Sequence, residues 1–85
     1  MYYTYVLLCD EKDFSIGFTE NIDNRLKEHI KKEVKTTKKF GKIRLVYFEA
    51  CNNKTDAKKR EIQLKTGFGR GYVKRRIEND LKSRD

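Results

Sequence analysis

Apolar residues follow two different periods along the chain, and these periods predict three strands and several helices. The segment YYTYVLLC, Tyr2–Cys9, is apolar or aromatic on both faces, which is typical of a central strand. The polar turn DEKD separates it from FSIGF, residues 14–18, and the two segments are predicted to form a hairpin. The segment IRLVYFEA, residues 43–50, predicts the third strand.

A helical period follows the hairpin in TENIDNRLKEHIKKEV, residues 19–34, and either Thr19 or Asn21 can cap that helix. Its apolar residues recur at helical spacing and are expected to face the core: Ile22, Leu26, Ile30 and Val34. Residues 31–42 then form a basic loop for which the sequence gives little reason to pack.

Two further helices are predicted after the third strand. The first lies in NNKTDAKKREIQLKTG, where Thr55 can act as the cap, and the last lies in GRGYVKRRIENDLKSRD, with Val73, Ile77 and Leu81 turned inward. The element order is therefore ββαβαα. This order predicts an α+β fold in one domain, residues 1–85, with helices packed on a three-stranded antiparallel sheet.

The charge of the chain favours a polyanionic partner. Lys and Arg number 21 against 13 Asp and Glu, a formal net charge of +8 over 85 residues, and phosphate binding by such a surface releases counterions. A solvated surface is the alternative reading of the same charge. The basic loop and the RGYVKRR segment are the predicted nucleic-acid contacts, through Lys31, Lys32, Lys35, Lys38, Lys39, Arg70, Lys74 and Arg75.

The cysteine and histidine inventory excludes a zinc site, because Cys9 and Cys51 lie far apart and the chain has one His. Both thiols are expected to be reduced, although the sequence leaves a disulfide between them open. The apolar N-terminal run is too short to span a bilayer, so no membrane association and a cytoplasmic location are expected.

Three side chains are candidates for a functional site. Arg25 and His29 lie four residues apart at the edge of the apolar stripe of the first helix. Glu61 shares a helical stripe with Ala57 and Leu64, so this carboxylate is expected to be half-buried and to need a cation, either Arg60 or a metal ion. Solvated surface roles are the alternative for all three. Gly17, inside a strand, indicates a bulge or a close approach by another group.

The order of these residues resembles the GIY-YIG endonuclease family, in particular its small single-domain members. The chain has YTY, ending at Tyr5, where the family has GIY, and SIG, beginning at Ser15, where the family has YIG. The resemblance implies hydrolysis of DNA phosphodiester bonds with one divalent metal ion, Mg²⁺ or Mn²⁺, bound by Glu61. It further implies that Tyr5 activates or orients the attacking water, that Arg25 stabilises charge on the phosphate, and that His29 assists.

Ser15 departs from the family motif, because its hydroxyl is shorter and far less acidic than that of tyrosine. Two alternatives to an active DNA endonuclease therefore stay open: a catalytically impaired protein that binds nucleic acid, and a small basic RNA-associated structural protein. Tyr47 or Tyr72 could compensate for Ser15. A chain of this size has no room for a sequence-reading module, so a preference for nicked, flapped, single-stranded or branched DNA is expected. DNA repair and DNA recombination are both compatible pathways.

Overall fold

A computed structural model describes residues 1–83 of the chain, and its centre is a three-stranded antiparallel sheet. The strands are β1 (Tyr2–Cys9), β2 (Asp13–Thr19) and β3 (Ile43–Cys51), in the order β2-β1-β3. The predicted central strand and hairpin are confirmed. Cys9 and Cys51 are free thiols, and they lie at opposite ends of the β1–β3 pair, about 20 Å apart at the rise of a strand.

The β1–β2 hairpin is closed by a turn in which both central residues are left-handed. Asp10 and Glu11 each have a φ of 54°, and the Lys12 amide donates to the Cys9 carbonyl at 3.1 Å. Turns with two left-handed residues match the right-handed twist of paired strands. The turn therefore fixes the register that places Tyr5 opposite Gly17.

Four helices surround the sheet, and within residues 1–83 none is long and apolar enough to cross a membrane. They are α1 (Ile22–Ile30), α2 (Lys54–Leu64), α3 (Gly67–Arg76) and α4 (Glu78–Lys82). Asn21 caps α1, as one of the two alternatives predicted. The α2 cap is Asn53, whose side-chain oxygen accepts from the Asp56 amide, so the prediction of Thr55 was wrong. The predicted last helix is divided at Ile77, where the backbone leaves helical geometry.

The core lies on both faces of β1, which explains why that strand is apolar throughout. On one face Tyr5, Leu7 and Cys9 pack with α1 residues, and on the other face Val6 packs with side chains from α2 and α3. The buried side chains on this second face are Leu64 of α2, Val73 of α3 and Ile77 of the junction between α3 and α4. Helix α1 therefore lies on one side of the sheet, and α2 and α3 lie on the other.

The buried face of α1 differs from the predicted face. Ile30 is 54% exposed, whereas His29 is only 2% exposed. Ile22 and Leu26 do pack on the core. Towards its C-terminal end, however, the buried face of the helix is displaced by about one residue from the face predicted from the apolar side chains. The prediction that Ile30 faces the core was wrong, because the helix turns two polar side chains, Arg25 and His29, towards β1.

The basic loop of residues 31–42 is packed, contrary to the prediction. The Lys32 ammonium donates to the carbonyls of Phe40 at 2.6 Å and Gly41 at 2.9 Å. At the end of the loop, an Asp10 carboxylate oxygen accepts from the backbone amides of Gly41 and Lys42. Buried or constrained backbone groups need such partners, and here charged side chains supply them. The loop is consequently closed on itself by Lys32 and tied to the hairpin turn by Asp10.

Candidate active site

An open cleft of about 750 Å³ runs along β2, the edge strand beside β1. Every residue from Phe14 to Phe18 lines it, and α1, α2 and α3 supply the remaining walls. The cleft contains all the residues predicted to be catalytic or to bind metal: Tyr5, Ser15, Gly17, Arg25, His29 and Glu61. Residues distant in sequence thus meet on one concave surface, which is the usual geometry of a binding site.

Three of these residues form a hydrogen-bonded cluster. The Tyr5 hydroxyl lies 2.8 Å from Nε2 of His29, and Nε of Arg25 donates to the same hydroxyl at 3.3 Å. Arg25 also pairs with Glu28 through Nη1 at 2.8 Å, which holds the guanidinium in place. Arg25 and His29, four residues apart on α1, therefore both contact the phenolic oxygen of Tyr5 on β1.

Gly17 makes room for this cluster. It is the cross-strand partner of Tyr5, and a Cβ atom built at Gly17 would overlap the Tyr5 ring and hydroxyl. The close approach that a glycine in this strand indicated is therefore that of the Tyr5 side chain. Any side chain at position 17 would displace the hydroxyl from His29 and Arg25.

Burial raises the pKa of Tyr5 above its ordinary value, and the hydrogen bond from Arg25 only partly offsets this effect. The phenol is thus protonated at neutral pH. Tyr5 is accordingly suited to orient a water molecule by hydrogen bonding, and the structure gives no support to a lowered phenol pKa.

Burial also lowers the pKa of His29, and the positive charge of Arg25 lowers it further. The imidazole is therefore neutral at neutral pH. Its second nitrogen, Nδ1, lies 2.7 Å from Oγ1 of Thr37, a fully buried residue of the basic loop. Sequence reasoning missed Thr37, and a buried hydroxyl in a Lys-rich loop leaves no periodic signal by which to find it.

Glu61 lines the cleft as a largely buried carboxylate and pairs with Lys65 at 3.1 Å. Arg60, one of the two cations suggested for Glu61, instead makes a bidentate pair with Glu49, so that alternative was wrong. Within residues 1–83 no cluster of three His, Cys, Asp or Glu residues could enclose a metal ion. A single carboxylate with open space beside it does fit a hydrated Mg²⁺ or Mn²⁺, which retains most of its waters.

Ser15 lines the cleft at the position of the missing tyrosine, and the two tyrosines considered as substitutes do not line it. The Tyr47 and Tyr72 hydroxyls lie 3.3 Å apart, and Tyr47 also donates to Glu49. Both pack in the core cluster formed with α2 and α3. Neither tyrosine therefore compensates for Ser15.

The predicted nucleic-acid contacts divide into three groups. Arg70 lines the cleft itself, next to Lys65 and the start of α3. Lys32 is half-buried, and its ammonium group donates to two carbonyl oxygens of the loop, so its hydrogen bonds are made within the loop itself. The other side chains are exposed and can meet a phosphate backbone: Lys31, Lys35, Lys38, Lys39, Lys74 and Arg75.

The stability of the protein is expected to fall as the pH is lowered from about 7.5 to about 5.5, because His29 resists protonation in the folded state. Because the pKa of His29 is lowered in the folded state, the unfolded chain binds a proton at a higher pH than the folded chain does. The stabilisation from neutral His29 is therefore complete above the ordinary pKa of 6.5, and it is lost as the pH falls below that value. Arg25, Glu28, Tyr5 and Thr37 are the polar groups that face the ring. Urea unfolding at several pH values should give a slope of at most about 1.4 kcal/mol per pH unit.

His29 is the only histidine, so the variant His29→Gln is a direct control. Its free energy of unfolding should be nearly constant over the same interval. An equally flat profile for the unaltered protein would contradict the burial-lowered pKa.

Comparisons with known proteins identify the family of this chain. A family model described as the GIY-YIG catalytic domain matches residues 1–76. A UPF0213 protein of Clostridium perfringens is 38% identical over 66 residues, covering 76% of this chain and 71% of that protein. A UPF0213 protein of Staphylococcus haemolyticus is 33% identical over 78 residues, covering 91% of this chain and 94% of that protein.

A solution NMR structure of a UPF0213 protein from Bacillus halodurans is 30% identical, with a TM-score of 0.48, covering 98% of this chain and 84% of the solved one. The GIY-YIG catalytic domain is a nuclease domain that acts on nucleic acid and generally uses a divalent metal ion. The domain match extends over nearly the whole described chain and includes every residue of the cluster in the cleft. This chain therefore belongs to the GIY-YIG family.

Proposed function

We propose that the protein is a metal-dependent endonuclease that hydrolyses DNA phosphodiester bonds. The observation that carries this proposal is the convergence of Tyr5, Arg25, His29 and Glu61 on one open cleft. Arg70 lies in the same cleft, so a phosphate backbone would meet positive charge on entering it.

Arg25 is the group that stabilises the phosphate as negative charge develops. Its guanidinium is held by Glu28 and by the Tyr5 hydroxyl, yet 38% of the side chain is exposed. Arg presents several N–H donors in a planar fork, which suits phosphate oxygens. A donor held in advance in this way commonly contributes about 10²–10³-fold to the rate.

Tyr5 and His29 handle the proton of the attacking water. The water oxygen bonds to phosphorus while its proton passes to the Tyr5 oxygen, and the Tyr5 proton passes to Nε2 of His29 over the 2.8 Å contact. The bond from phosphorus to the leaving sugar oxygen breaks, and that oxygen takes a proton from solvent. Neutral His29 is the acceptor that this path needs, and general-base help of this kind typically contributes about 10²–10⁴-fold.

Glu61 is the residue that would hold the metal ion, Mg²⁺ or Mn²⁺. A metal bound there would act as a Lewis acid towards the phosphate. Lys65 also lines the cleft and pairs with Glu61 at 3.1 Å.

The open shape of the cleft and the positions of the cations support a preference for one class of substrate. Exposed lysines and arginines contact phosphates without reading bases, so the protein would select DNA by shape. Nicked, flapped, branched or single-stranded DNA would give the scissile phosphate the freedom to enter a cleft beside an edge strand.

A second candidate function is nucleic-acid binding without cleavage, and Ser15 is the observation that favours it. Its short hydroxyl lines the cleft where the family motif has a tyrosine, and neither Tyr47 nor Tyr72 replaces that group. The binding surface would be the same in both cases, so only the chemical step separates the two functions.

A cleavage assay on end-labelled duplex, single-stranded, nicked, flapped and branched DNA tests the proposal. The protein should cut at least one of these structures with Mg²⁺ or Mn²⁺ and should stop when the ion is chelated. Arg25→Lys keeps the charge but loses the fork, and it should cut about 10–100-fold more slowly, which excludes a contaminating nuclease.

Ser15→Tyr separates the two candidates. Binding without cleavage by the unaltered protein, with cleavage gained by Ser15→Tyr, would establish the impaired form. If neither protein cuts any of the DNAs and the unaltered protein binds RNA tightly, the result would instead support a small RNA-associated structural protein.

A further inference from the structure

Thr37 lies outside the GIY-YIG motif and contacts the catalytic cluster directly, through His29. Its side chain is fully buried, and its Oγ1 lies 2.7 Å from Nδ1 of His29. No polar side-chain atom buried among the described residues lacks a partner, and His29 is the partner of the Thr37 hydroxyl.

Backbone hydrogen bonds within the loop fix the position of Thr37. The Thr37 amide donates to the Val34 carbonyl at 3.1 Å, and the Thr37 carbonyl accepts from the Phe40 amide at 3.0 Å. Lys32 and Asp10 fix the far end of the loop through the contacts described above. The hydroxyl is therefore presented to His29 from a fixed backbone.

One group in the network can only donate, and it favours one direction of the hydrogen bonds. Arg25 donates to the Tyr5 oxygen, so the Tyr5 hydroxyl is free to use its own hydrogen towards Nε2 of His29. A neutral imidazole has one donor and one acceptor nitrogen. If Nε2 accepts, Nδ1 carries the hydrogen and donates it to the Thr37 oxygen.

We propose that Thr37 is a positioning residue that holds His29 in the Nδ1–H tautomer, with Nε2 unprotonated and directed at the Tyr5 hydroxyl. Thr37 does not touch the reacting atoms and acts only through His29. The inference deepens the proposed function and rests on it, since the free Nε2 is the atom that accepts the proton from Tyr5.

The tautomer can be measured directly by NMR on protein carrying ¹⁵N-labelled histidine, because the chain has a single His. At a pH above the pKa of His29, the unaltered protein should show one species with the proton on Nδ1. Thr37→Ser retains the hydroxyl and should give the same spectrum. Thr37→Val removes it and should give a mixture of tautomers or the Nε2–H form.

Kinetics on the DNA that is cut best provide the second measurement. Thr37→Val should lower kcat by at least about tenfold with little change in KM, and Thr37→Ser should remain within about threefold of the unaltered protein. Thr55→Val, on the exposed side of α2, is a control for loss of a threonine hydroxyl and should leave both constants unchanged.

An Nε2–H tautomer in the unaltered protein would overturn the proposal, and so would an unchanged spectrum in folded Thr37→Val. The first of these outcomes is read without any variant, so a Thr37→Val protein that fails to fold does not prevent the test. Because the spectrum does not depend on catalysis, an Nδ1–H spectrum in a protein that cuts no DNA would count against the proposed function and not against the role of Thr37.

Discussion

Replacing Glu61 with glutamine is expected to reduce DNA cleavage by at least about 10³-fold, equivalent to about 4 kcal/mol of transition-state stabilisation. Glutamine keeps the shape of the side chain but removes the negative charge that a divalent cation requires. DNA binding should persist, because the change removes a negative charge from a cleft that must receive phosphates. Cleavage rate, metal affinity and DNA affinity should be measured on the same protein preparation.

Glu78→Gln provides the matched control, since Glu78 also pairs with a lysine four residues later but lies on α4, away from the cleft. It should cut DNA at the unaltered rate. Cleavage by Glu61→Gln within tenfold of that rate would show that Glu61 does not hold the metal ion.

Gly69→Ala is expected to destabilise the fold by about 3 kcal/mol or more, a large part of the stability of a domain of this size. A Cβ atom at Gly69 would overlap the backbone of Leu64, including its carbonyl group. A flexible side chain could move aside, but here the obstruction is the main chain at the end of α2. Urea unfolding followed by circular dichroism should show a much lower midpoint or a chain unfolded in buffer.

Gly67→Ala, two residues earlier in α3, tests whether this effect is one of space or of helix propensity. A Cβ atom at Gly67 meets nothing within 4 Å. Alanine favours helix over glycine, so Gly67→Ala should be unchanged or up to about 1 kcal/mol more stable. Equal midpoints for the two variants would refute the contact with Leu64.

The sheet could be predicted from the sequence because β1 is buried on both faces and its composition reports this directly. Val6 and Leu7 face opposite sides of the sheet and are both fully buried. The stripe of Ala57, Glu61 and Leu64 was also predicted correctly, since the helical period places the carboxylate beside the two buried apolar side chains.

The orientation of α1 could not be predicted from hydrophobicity, because the site overrides the apolar stripe. A period count favours burying Ile30 over His29, yet two hydrogen bonds to His29 stabilise the opposite arrangement. Hydrophobic periodicity measures transfer from water and contains no information about such long-range polar partners.

The basic loop and the α2–α3 contact were missed for a related reason. Thr37 and Lys32 are held by groups near in space that the loop's polar composition does not reveal. The need for glycine at position 69 arises from a backbone that packs against it, and φ there is not positive. Local conformational preference therefore gives no sign of it.

The fit of Tyr5 over Gly17 has a consequence for how such sequences can change over time. While the ring occupies that space, no side chain can arise at position 17, whereas a chain that first loses the ring removes the obstruction. The order of substitutions is thus constrained: the tyrosine must go before the glycine. Position 15 is one of the motif positions at which this chain has diverged, together with positions 3 and 4. In related sequences, a side chain at position 17 is therefore a marker that the tyrosine no longer lies above it.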